Sequence, residues 1–210
     1  MRVRAVTTAA LVDELVERID AHARDQWVRV AIDGAAATGP ERLADELVDP
    51  LRSQGRDVLR LSSKDFLRPA SLRFEHGKQD AEAFYDDWLD SNALAREVLD
   101  PLDPGGTGRV LPSLWDAETD RATRADYMTL KKGGVVILDG TLLLGRWLPF
   151  ELTVHLTLSK VPLQRRTPED QAWTLPAYER YADEVDPEAT ADVVVRWDNP
   201  ERPAIIDRPE

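Results

Sequence analysis

The sequence predicts an open α/β sheet of about five mainly parallel strands flanked by helices. Three observations carry that expectation. A β-branched run, "WVRVAID" at residues 27 to 33, ends at Gly34; Leu43, Leu47, Val48 and Leu51 behind it mark an amphipathic helix stopped near Gly55; and "DVLRLSS" is a second short apolar run. Strand, turn, helix and strand in that order form a βαβ unit, whose crossover favours parallel pairing and right-handed topology.

The other elements follow along the chain. Leu11, Val12, Leu15, Val16 and Ile19 recur at helical spacing, so residues 8 to 22 read as an amphipathic helix before the first strand. "AEAFYDDWLDSNALAREVLDPL" reads as largely helical, and residues 103 to 113, "DPGGTGRVLPS", as a loop by their Gly and Pro content. "VVILD" at 135 to 139 is a third strand. "ELTVHLTLS" alternates Leu152, Val154, Leu156 and Leu158 with polar residues, and "DVVVRWD" supplies a fifth strand. Residues 161 to 184, charged and punctuated by proline, read as a mobile cover with helical stretches. In such a sheet, ligands sit at the carboxyl ends of the strands. His22, His76 and His155 are widely spaced and form no metal or triad pattern; His155 is expected to be packed or solvent-exposed.

Bulk properties bound the function. A chain of 210 residues suits a single domain over 1–210, and 42% hydrophobic with 31% charged residues is globular rather than disordered. The net charge of −12 repels phosphate backbones and anionic lipid, so neither nucleic acid nor a membrane is an expected partner. A small molecule is, and an anionic one needs a local basic site. No cysteine is present, and no apolar run approaches the roughly 20 residues of a membrane span, which fits a cytoplasmic protein.

The stretch "GAAATGPE", residues 34 to 41, decides how the chemistry is read. A phosphate loop of the form G-x-x-x-x-G-K-[ST] cradles phosphates with backbone N–H groups, reaches them with its Lys, and holds Mg²⁺ with its hydroxyl. Gly34, Ala35, Ala36, Ala37, Thr38 and Gly39 keep that frame, but Pro40 and Glu41 stand where the Lys and the hydroxyl belong. Two like charges about 4 Å apart oppose each other by about 4 kcal/mol at an effective dielectric near 20, so Glu41 handicaps a phosphate chain. Pro and Glu do suit the first turn of a helix. The stretch alone is equally a tight strand-to-helix connection.

With these segments in order over residues 28 to 204, the sequence resembles the uridine kinase family of P-loop phosphotransferases, with a degenerate Walker A loop. The resemblance implies an ATP- and Mg²⁺-dependent kinase of a nucleoside or other small hydroxylated metabolite, with residues 161 to 184 as its lid. In "LRLSSKDFLRP" it implies Asp65 as general base on the acceptor hydroxyl; Lys64 beside it is our candidate to replace part of the lost charge. In "FYDDWLDSNAL" it implies Asp87 on ribose hydroxyls, and in "LPSLWDAETDR" Trp115 and Asp120 around the base. Asp139 falls near the metal, and Arg165 and Arg166 in "LSKVPLQRRTPED" are the nearest candidates for clamping phosphates. Each also has an ordinary structural reading: a strand-end cap for Asp65 or Asp139, a solvated face for Lys64, Asp87 and the arginine pair, a core or rim anchor for Trp115. The alternative to a kinase is therefore a catalytically inactive kinase fold that binds a nucleotide or metabolite.

Overall fold

The computed structural model describes residues 2–207. Its centre is a seven-stranded sheet made of β1 (Arg2–Ala5), β2 (Val28–Gly34), β3 (Val58–Ser62), β4 (Val135–Gly140), β5 (Leu152–Thr157), β6 (Val193–Arg196) and β7 (Ala204–Asp207), in the order β1-β7-β6-β5-β2-β4-β3. The five predicted strands run parallel to one another: β2 pairs with β4 and β5, β3 with β4, and β5 with β6. β2 and β4 are buried along their whole length, which is why they read as unbroken apolar runs.

Two antiparallel strands correct the expected count. β7 pairs antiparallel with β6, and β1 pairs antiparallel with β7, closing one edge of the sheet. β1 spans four residues and carries two arginines, so it presents no strand pattern of its own and exists through its distant partner.

Helices cover both faces. α1 (Thr8–Asp20) begins where the Thr7 side chain accepts from the Ala10 N–H, and it buries Leu11, Val12, Leu15, Val16 and Ile19. α2 (Pro40–Ser53) has proline in its first turn, where no N–H is needed, and buries Leu43, Leu47 and Leu51 against β2 and β4. On the opposite face Phe66, Leu94, Val98, Leu99 and Leu143 pack on Val136 and Leu138.

The segment from residue 81 is largely helical, as expected, with a break between its turns. α3 (Ala81–Asp86) is capped by Asp80, and a new turn begins at Ser91 under the cap of Asp90. Between them the Arg68 N–H donates to Trp88 O and the Asp90 N–H to Phe66 O, so residues 87 to 90 serve as a strap on the 66–68 turn. The 103–113 loop contributes Arg109–Val110, which pairs with Met128–Thr129. The 161–184 stretch holds α4 (Lys160–Arg166), a short 3-10 turn over Glu169–Thr174 and α5 (Leu175–Val185). Among the described residues no helix is long and apolar enough to cross a membrane.

Candidate functional site

The carboxyl ends of β2, β3 and β4 meet at the glycine turn. Gly34 ends β2 so close to its surroundings that a Cβ would lie 2.6 Å from Thr38 Oγ1 and 3.0 Å from Leu156 O. Gly39 adopts φ +66°, a conformation that favours glycine, and hands the chain to α2. Between them Ala36–Thr38 coil into a 3-10 turn.

That turn consumes its own donors. The Thr38 N–H donates to Ala35 O at 2.8 Å and the Gly39 N–H to Ala36 O at 3.1 Å. The Ala36 N–H donates to the hydroxyl of Tyr178 on α5 at 3.2 Å, and the Thr38 hydroxyl donates to Ala35 O at 2.7 Å. Pro40 has no N–H. As folded, the amides of Ala36, Thr38 and Gly39 are therefore already bonded, and Pro40 has none to offer.

On one side of the turn lies a cavity of about 830 Å³. Its polar floor holds Glu41, Lys64, Asp65 and Asp139; its far wall is aromatic, with Phe84, Trp88, Trp115, Trp173 and Tyr178. Phe84 and Trp88 meet edge-on at 5.1 Å, and Trp88 and Trp173 lie 5.5 Å apart. Asp65 sits on the turn after β3, takes a hydrogen bond from the Ser113 hydroxyl at 3.2 Å, and is half-buried. Burial raises its pKa above the ordinary carboxylate value, against the pull of Ser113 and Arg60. Lys64 is exposed at the rim.

Asp139, at the end of β4, is 1% exposed. Arg60 Nη2 lies 2.9 Å from its Oδ1 and the Ser62 hydroxyl donates to its Oδ2 at 3.0 Å. The Arg60 pair lacks hydrogen-bond alignment, so Asp139 Oδ1 is left without a donor. Burial raises the Asp139 pKa, Arg60 opposes that rise, and the nearby Glu41 carboxylate reinforces it. Glu41 and Asp139 thus face one cavity with an unfilled carboxylate oxygen. Mg²⁺ is commonly held by one or two carboxylates plus phosphates, and this donor set fits it. Among the described residues no group of three His, Cys, Asp or Glu side chains is arranged for a metal ion.

A second cavity, of about 510 Å³, lies over the outer face of the turn and is lined by Ala36 to Gly39, Glu41, Arg42 and Arg166. Arg166 donates from Nη1 to Trp197 O at 2.9 Å and from Nη2 to Asp198 O, which fixes it to the β6 end. Arg165 is exposed and lines neither cavity.

The other predicted side chains sit outside the large cavity. Asp87 pairs with Arg68 at 3.4 Å. Asp120 accepts from the Ala70 N–H at 2.7 Å and from Trp115 Nε1 at 3.0 Å, so it orients Trp115 from behind. His155 is packed, one of the two expected outcomes: it is buried, with Nδ1 2.7 Å from the fully buried Asp33 Oδ2, to which the Tyr181 hydroxyl also donates at 3.0 Å. Sequence reasoning did not find Arg42, Arg73, Trp88, Arg146 or Trp173. Six tryptophans in an acidic chain was the one signal it left unused.

Together these features define an open, mainly parallel α/β fold with a glycine turn between two cavities, a fold shared with solved kinase-like structures. The chain is similar in structure to a possible uridine kinase from Bacillus stearothermophilus, with 22% identity, a TM-score of 0.70, and coverage of 89% of this chain and 97% of that one. It is also similar to a candidate fructose transport system kinase from Silicibacter sp. TM1040, with 22% identity, a TM-score of 0.63, and coverage of 90% and 98%. No protein-family model and no curated protein matches the sequence.

Proposed function

We propose that the chain binds a small hydroxylated metabolite with a planar ring in the aromatic-walled cavity of about 830 Å³, using the acceptor side of a kinase fold without a competent phosphate cradle. The observation that carries this reading is the state of the glycine turn: the N–H groups of Ala36, Thr38 and Gly39 are already bonded, and Pro40 has none. Uridine and fructose, named for the two structural neighbours, are both polyols, which supports a hydroxylated ligand. The tryptophans favour a ring that can stack. In this reading the partner is a small molecule, with neither nucleic acid nor a membrane involved, and the chain works in the cytoplasm.

A thermal-shift comparison tests it, because a ligand at 100 times its dissociation constant stabilises by about 2.7 kcal/mol. Uridine and related hydroxylated ring compounds are expected to raise the melting temperature while Mg-ATP leaves it unchanged. An equal response to Mg-ATP would overturn the donor half of the proposal.

A second reading, ATP-dependent phosphorylation of the same ligand, is favoured by Asp65, a carboxylate in the cavity wall whose pKa is raised by burial toward that of a useful base. The acceptor hydroxyl gives its proton to Asp65, its oxygen bonds the γ-phosphorus, and the bond to the bridging oxygen breaks to release ADP. Lys64, Arg42, Arg166 and, after movement of the lid, Arg165 supply positive charge. Glu41 and Asp139 are the residues that would hold Mg²⁺, which neutralises charge on the transferring group when bound. This reading requires Tyr178 to leave the Ala36 N–H. ADP production over nucleosides, pantothenate-like alcohols and sugars, beside an Asp65→Asn control, distinguishes the two.

A further inference from the structure

Most of the arginines buried in this fold have carboxylate partners. Arg29 pairs with Glu151 and Asp103, Arg56 with Asp20, and Arg60 with Asp139 and Asp45. Arg73, on the cavity wall, has Asp120 at 3.9 Å. Arg146, just after β4, has none: among the described residues no carboxylate oxygen lies within 4.0 Å of it, although the chain carries a net charge of −12. Its contacts are neutral. Nε donates to Leu142 O at 2.6 Å, Nη2 donates to Tyr85 O, and the guanidinium stands 5.9 Å from the Tyr85 ring. Nη1 has no hydrogen-bond partner among the described residues, and the side chain lines the large cavity.

Those two carbonyl bonds hold the guanidinium in one orientation. Desolvation lowers its pKa, opposed by the nearby Tyr85 and Tyr181 hydroxyls and, more weakly, by Asp86 and Asp33. The cavity thus carries both signs: Glu41, Lys64, Asp65 and Asp139 stand by the glycine turn, Asp116 and Glu118 follow Trp115 along the wall, and Arg146 lines it without a carboxylate partner. Arg73 adds a second buried guanidinium on that wall, 5.2 Å from the Trp88 ring, held by Arg68 O at 2.7 Å. A fixed, partly desolvated guanidinium without a counter-ion is a ready site for a planar or tetrahedral anion.

We infer that the ligand of this cavity carries a carboxylate or phosphate group that ion-pairs with Arg146 while its ring stacks on the tryptophan wall. This rests on the cavity being the ligand pocket, and names the ligand's charge class. Arg146 is then the residue that selects an anionic ring compound over its neutral counterpart.

The experiment uses isosteric probes, 3-hydroxybenzoate against 3-hydroxybenzamide, with phenyl phosphate as the phosphate arm, read by tryptophan fluorescence and by calorimetry on the full chain. At least one anion is expected to bind about tenfold more tightly than the amide, equivalent to about 1.4 kcal/mol. Arg146→Gln is expected to bring the anions down to the level of the amide, and Arg146→Lys to retain part of the preference, with melting curves confirming that both variants fold. If Arg146→Gln alone does not fold, the Lys variant and the wild-type comparison still decide the matter. Equal binding of amide and anions, or a preference that survives Arg146→Gln, overturns the anion subsite and leaves the pocket standing. No binding of any ring compound, charged or neutral, overturns both.

Discussion

The two sides of the glycine turn are built in opposite ways. On one side, the amides of Thr38, Gly39 and Ala36 are bonded internally, to Ala35 O, Ala36 O and the Tyr178 hydroxyl. On the other, a cavity of about 830 Å³ keeps polar groups without full partners: Asp139 Oδ1 lacks a donor, and Arg146 lacks a carboxylate. Buried polar groups are ordinarily satisfied, so unsatisfied ones concentrated on one side mark where a ligand completes the structure. The contrast teaches that the two sides can differ independently, because different elements build them. β3, β4 and the 81–90 and 113–118 segments shape the large cavity, whereas the other side depends on one turn.

The largest expected effect sharpens the acceptor half. Any ADP-forming activity falls about 10²- to 10⁴-fold in Asp65→Asn, the usual worth of a general base, while fluorescence-detected ligand binding stays within a few-fold of the parent. Because burial raises the Asp65 pKa, the acid limb of that activity lies above the ordinary carboxylate range, and it disappears in the variant.

Arg60→Ala comes next. It strands the Asp139 carboxylate, 1% exposed, without its cation, and is expected to cost about 3 kcal/mol in denaturant unfolding. A second substitution, Asp139→Asn, recovers part of the loss; a loss unchanged by it shows that Arg60 acts through packing instead.

Tyr178→Phe tests the donor half. It removes one hydrogen bond, worth about 1 kcal/mol of stability, and frees the Ala36 N–H. The double substitution Pro40→Lys, Glu41→Thr is expected to gain Mg-ATP binding by calorimetry only when Tyr178→Phe is added. Binding by the double variant alone breaks the account of the turn as occupied.

The smallest effect is on stability against pH. Asp65 has a folded pKa above its unfolded value, so in the range between them the folded state binds more protons and stability declines as pH rises. Asp65→Asn is therefore slightly more stable than the parent at neutral pH, and the gain vanishes below the carboxylate range. A gain independent of pH assigns the effect to something other than the charge.

Much of the fold was legible because the five parallel strands are buried on both faces or alternate cleanly, and Gly34 and Gly39 punctuate the first crossover. β1 and β7 were not, since these four-residue antiparallel strands acquire their conformation from partners distant along the chain. Within the site, Asp65, Lys64, Trp115 and Asp139 line one cavity, as sequence order alone would allow. Asp87 and Asp120 are turned to Arg68 and Ala70 instead. Arg146 and Trp173 were invisible for a physical reason: a lone arginine after a strand and a tryptophan in a proline-rich segment mean little until folding sets them against one wall.

α5 is fastened at two points to the strand ends it covers. Tyr178 holds the Ala36 amide, and Tyr181 accepts from the Leu144 amide at 2.9 Å while donating to Asp33, which in turn receives the Leu143 amide. Two backbone protons, those of Ala36 and Leu144, from two separate loops thus depend on this one helix. Their deuterium uptake would rise in concert whenever this helix lifts, giving the protein a built-in gauge of how often its roof is open.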